Sequence, residues 1–119
     1  MISLAAVFII LSVHWIADFV CQSDWMALNK SKSMSALLTH TCVYTSIWIL
    51  PCLMVSAHVA WIFLLITLVM HTLTDYVTSR VNARFWAAEE RYWFFVSVGL
   101  DQLLHYTQLL LTYYLLTKQ

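Results

Sequence analysis

Charge is scarce in this chain. Asp, Glu, Lys and Arg make up 10% of its 119 residues, where a soluble domain carries about 25%. Glycine and proline are nearly missing, with Gly99 and Pro51 the sole examples. One glycine cannot build a dinucleotide-binding turn or a phosphate-cradling loop, because each needs several. Cys21, Cys42 and Cys52 form no C-x-x-C pair and are odd in number, which argues against a disulfide framework and a thiolate zinc knuckle. The formal net charge is zero, so no basic field points to nucleic acid.

What the chain has instead is hydrophobic length. Apolar residues make up 62% of it. The hydropathy pattern predicts helices over 2–21, 36–56, 58–78 and 94–117, each within reach of a bilayer. The expected architecture is therefore all-α: a polytopic transmembrane four-helix bundle, forming one domain over 1–119. The N-terminal run lacks a basic start and a small-residue cleavage site, so a permanent span is expected rather than a signal peptide. Segments 22–35 and 79–93 read as the two long loops. The second could form a short interfacial helix, with Val81, Phe85 and Ala88 on one face. Lys30, Lys32, Arg80, Arg84 and Arg91 lie in these loops. The positive-inside rule puts both loops in the cytoplasm and both termini on the far side.

Seven ionisable residues interrupt the apolar stretches: His14, Asp18, His40, His71, Asp75, Asp101 and His105. His14/Asp18, His71/Asp75 and Asp101/His105 are each four apart. That spacing puts both partners on one helix face, about 6 Å apart along the axis. Antiparallel helices would bring all seven to one layer. A buried Asp costs ~2.5–3.5 kcal/mol on insertion scales, and hydrogen bonds in a membrane return only ~0.6–2 kcal/mol each. A divalent cation would offset the difference, because His nitrogen and Asp oxygen are its ordinary ligands. All seven are candidate ligands for one or two ions, with zinc the first expectation and manganese or iron the alternatives. Three carboxylates would balance two dications and one hydroxide, and the donor set suits a two-metal site with open positions.

Asp18, Asp75 and Asp101 are also the candidate catalytic carboxylates, any unligated one accepting a proton from water. Gln22, Arg80 and Gln102 are the candidate substrate-binding residues. Arg80, one turn past Asp75, is the expected grip on a phosphate at the site mouth. The plainer alternatives stay open: Asp–His pairs can hold a bundle together by hydrogen bonding alone, or relay protons and ions.

The strings HWIADFVCQSDWMALNK, LLTHTCVYT, HTLTDYVTSR and FFVSVGLDQLLHY resemble a family of small membrane proteins of bacteria and their phages, catalogued as a domain of unknown function. The likeness covers nearly the whole chain, and a more distant one leads to membrane-bound metal-dependent hydrolases. The resemblance implies a helical bundle in the bacterial inner membrane and makes a metal role more plausible. The reading that follows is a membrane-embedded, metal-dependent hydrolase acting on a lipid-borne or headgroup-proximal bond at the cytoplasmic leaflet. Membrane lipids, a lipid-phosphate substrate and a second copy of the chain are its expected partners. The rival readings are a metal or proton transporter and a non-enzymatic membrane interaction protein.

Overall fold

Four serines set the helix starts. Ser3, Ser23, Ser33 and Ser56 each stand in extended conformation and accept a hydrogen bond from the backbone N–H three residues on. Such a cap satisfies a donor that the first helical turn leaves free. A computed structural model describes residues 1–118. The helices are α1 (Leu4–Trp15), α2 (Asp24–Asn29), α3 (Met34–Ile47), α4 (Ile49–Cys52), α5 (Ala57–Ala87) and α6 (Arg91–Thr117).

Between α1 and α2, Ile16–Val20 forms a π-helical turn, closed by Cys21 N–H donating to the Ile16 carbonyl at 2.9 Å. The wider turn buries both Ala17 and Asp18. Such bulges re-aim side chains and gather at functional sites. At the other end, α5 stops in a Schellman motif. Glu90 N–H donates to Phe85 C=O and Glu89 N–H to Trp86 C=O, with Glu89 left-handed at φ 58°. Glycine is the usual occupant of that position. The tight turn lays α6 antiparallel on α5, and these two helices form the main packing pair.

The expected four-span bundle is not what forms. Among the described residues only Ala57–Ala87 combines the length and the apolarity that a membrane crossing needs. The apolar helical stretch Leu4–Val20 is too short by that measure and ends in the π turn. The run predicted over 36–56 stops as α3 at Ile47, and Pro51 falls in α4, a separate short turn of helix. Helix α6 has the length, but Ser97, Asp101, Gln102, His105, Gln108 and Thr112 dilute its apolar character. The fold is a compact all-helical globule. Nor is 79–93 a loop with its own interfacial helix: residues 79–87 continue α5, and α6 begins at Arg91.

Burial runs opposite to the usual pattern. His14, His40, His71, Asp75 and His105 are at most 1% exposed, while Phe8, Trp15, Phe19, Trp61, Leu65 and Phe95 lie on the outside. An apolar cluster of Ile10, Ala17, Tyr44, Trp48, Cys52, Phe63 and Leu109 fills the rest of the interior.

Candidate metal centre

Each of the long helices delivers part of the polar layer. The α1–π segment brings His14 and Asp18, α3 brings His40, α5 brings His71 and Asp75, and α6 brings Asp101, Gln102 and His105. The α5–α6 hairpin aligns its two helices so that His105 Nε2 lies 3.1 Å from Asp75 Oδ1, and Thr78 donates to Asp101.

At the centre, four ligand atoms converge. His40 Nε2 is 3.1 Å from Asp18 Oδ1 and 3.1 Å from Asp75 Oδ2. His71 Nε2 is 3.5 Å from Asp18 Oδ1, 3.6 Å from Asp75 Oδ2 and 3.2 Å from His40 Nε2. A tetrahedral ion with bonds near 2.0–2.2 Å holds its ligands about 3.3–3.6 Å apart. The five separations bracket that edge length. These buried Asp and His groups could hold a metal ion. The far nitrogens, His40 Nδ1 and His71 Nδ1, are buried without a hydrogen-bond partner. Both rings thus put their Nε2 atoms into the cage at the expense of the opposite edge. Orphaned buried polar atoms are costly, so the inward aim needs a compensating gain at the centre. Tyr44 stacks on His71, with centroids 3.6 Å apart, and holds that ring in place.

A second group, Asp18, Asp101 and His105, also has ligand atoms close enough to share one ion. His105 Nε2 is 3.3 Å from Asp101 Oδ1. Asp18 belongs to both groups.

His14 is differently employed. Its Nε2 meets Gln102 Oε1 at 2.8 Å and its Nδ1 meets the Tyr44 hydroxyl at 2.7 Å. The amide oxygen can only accept, so Nε2 carries the proton and Nδ1 accepts from Tyr44. With both nitrogens engaged, His14 lies outside both ligand groups and serves to orient Gln102. The Gln102 amide nitrogen in turn donates to Asp101 Oδ2 at 3.0 Å and Asp18 Oδ2 at 3.4 Å.

The other candidate contacts sort plainly. Arg80 folds back, donating to the Tyr76 carbonyl at 2.7 Å with its guanidinium over the Tyr76 ring. Gln22 Oε1 is buried without a partner. Lys30 is the residue that sequence reasoning missed, having read it only as a topology charge. Its Nζ donates to Asp75 Oδ2 at 2.8 Å and sits 3.5 Å from His40 Nε2. Burial would lower the lysine pKa, but Asp75 and then Asp18 outweigh it, so the pKa is raised. The ammonium stays charged on the rim of the cage. Its signal in the sequence was the need for a counter-charge to three buried carboxylates, met by one of the two lysines between Asp18 and His40.

The family model described as "Protein of unknown function (DUF3307)" matches residues 6–119, and the chain belongs to that family. No curated protein and no solved structure matches it.

Proposed function

We propose that this chain is a divalent-cation-dependent hydrolase that works at a membrane surface. The observation that carries the reading is the cage of His40, His71, Asp18 and Asp75, in which five of the six ligand-atom separations are 3.1–3.6 Å, close to the edges of a tetrahedral ion's shell. That donor set and geometry favour zinc over larger, oxygen-seeking cations. A bound dication supplies Lewis acidity and lowers the pKa of water.

The chain's own residues do the rest. Tyr44 fixes the His71 ring by stacking, and Gln102 steadies the outer oxygens of Asp18 and Asp101. Lys30 places an ammonium on the rim, where an anionic headgroup oxygen would arrive. The apolar exterior, with Trp15, Phe19, Leu65 and Phe95 exposed, supports contact with lipid, because a surface so rich in apolar side chains needs a partner. The bacterial inner membrane, at its cytoplasmic leaflet, is the proposed location, and a lipid-borne phosphate or neighbouring ester bond the proposed substrate.

The Lys30–Asp75 pair favours one other reading, in which the ammonium is the resident cation and the layer is purely structural. Metal analysis of protein purified in mild detergent without chelator separates the two. Zinc present in wild type and absent from Asp75→Ala supports the hydrolase and justifies a screen of phosphate and carboxylate esters. Well-folded wild type that takes up no metal after reloading leaves the structural layer.

A further inference from the structure

The geometry points to a two-ion centre in which Asp18 and Asp75 are bridging carboxylates and the second ion is held by Asp101 and His105. This rests on the metal centre proposed above. Asp75 faces both ways. Asp75 turns Oδ2 to His40 at 3.1 Å and Oδ1 to His105 at 3.1 Å. Asp18 turns Oδ1 to His40 and His71 and lies within ligand distance of Asp101 and His105 as well. A mononuclear site would need only one oxygen from each carboxylate. Here Asp75 Oδ1 is directed at a second imidazole, and that imidazole is also 3.3 Å from a third carboxylate.

The two groups are also braced as a unit. Gln102 donates to Asp18, which both groups share, and to Asp101 of the second, and His14 holds Gln102 from behind. The His71 and His105 rings, one from each group, stack with centroids 4.3 Å apart. Paired ions in phosphatases and nucleases lie about 3.5–4 Å apart and clamp the attacking and leaving oxygens together.

Charge names the substrate class. Three aspartates contribute −3, Lys30 +1 and two dications +4, a sum of +2 with the histidines neutral and water un-ionised. A phosphate ester dianion cancels that excess, whereas a neutral carboxylic ester leaves it uncompensated.

The test is zinc stoichiometry on the full chain in detergent, with helicity by circular dichroism as the folding control. Wild type should hold about two equivalents, and His105→Ala and His71→Ala about one each. A manganese titration of wild type needs no variant: the second equivalent should replace the isolated-ion resonance with an exchange-coupled one. Inorganic phosphate should bind the doubly loaded protein and weaken at least tenfold in Lys30→Met. One equivalent in wild type, unchanged by His105→Ala and magnetically isolated, would overturn the two-ion centre while leaving a one-ion hydrolase standing. Zero equivalents would overturn both. Phosphate affinity independent of metal loading would overturn the substrate class.

Discussion

The two halves of the interior are built on opposite principles. Around Trp48 and Phe63 the helices meet through aromatic and aliphatic side chains, with a cavity of about 220 Å³ between Ile10, Trp48, Cys52 and Phe63. Around Asp18 and Asp75 they meet through imidazoles and carboxylates, with the Tyr44 ring stacked against His71. The apolar half gains stability from area removed from water. The polar half gains nothing from burial alone, since desolvation penalises every charge in it. It holds together only through specific partners at specific distances. The fold thus rests on the apolar half, and the polar half is free to carry chemistry.

Several substitutions can break or sharpen that contrast. Asp75→Ala should have the largest effect, removing a ligand of the central cage and the oxygen that faces His105; metal analysis should find binding abolished while circular dichroism keeps the helical spectrum. Phe63→Ala belongs to the other half and should cost about 3–5 kcal/mol in stability. Its thermal melt should fall well below wild type, yet the folded fraction should keep its full metal content. Parity of the two variants in both readouts would erase the distinction between the halves.

Metal itself should stabilise only through the polar half. At a free zinc concentration 100 times the dissociation constant, wild type should gain about 2.7 kcal/mol and Asp75→Ala nothing, read by denaturation with and without chelator. Tyr44 sits at the junction. Tyr44→Phe keeps the ring that stacks on His71 but removes the hydroxyl on His14 Nδ1, which should cost about 1–3 kcal/mol and leave zinc stoichiometry intact. The smallest effect should come from outside both halves. Glu89 holds a left-handed conformation at the end of α5, so Glu89→Gly should raise stability by about 1 kcal/mol. A fall in the melting temperature would show that the Glu89 side chain contributes more than its backbone strain costs.

Much of the candidate site could be read before any coordinates. The i, i+4 pairs His71/Asp75 and Asp101/His105 do lie on one face each, at 3.6 Å and 3.3 Å, because regular helix geometry converts that spacing into proximity. His14/Asp18 also meets, at 3.6 Å despite the π turn that holds its second member, although His14 spends both nitrogens on Tyr44 and Gln102. Arg80 has the right charge at the right spacing but finds a nearer aromatic ring and carbonyl. Lys30 looks like any loop lysine until α2 and α3 carry it onto Asp75. The four-span expectation failed for a related reason: hydropathy averages over a window, whereas α3 and α4 divide at Trp48 and the π turn interrupts the first helix.

By itself, then, the sequence determined that this protein is helical and that its ionisable residues are a minority set aside from its apolar mass. Both follow from composition and from a periodicity that local backbone geometry imposes. Only the tertiary structure decided which oxygen of Asp18 and Asp75 faces which imidazole, that Lys30 reaches Asp75, and that His14 meets Tyr44 and Gln102 while His40 and His71 converge. Those choices depend on distances of a few ångströms between residues 22 to 88 positions apart, and no local pattern encodes them.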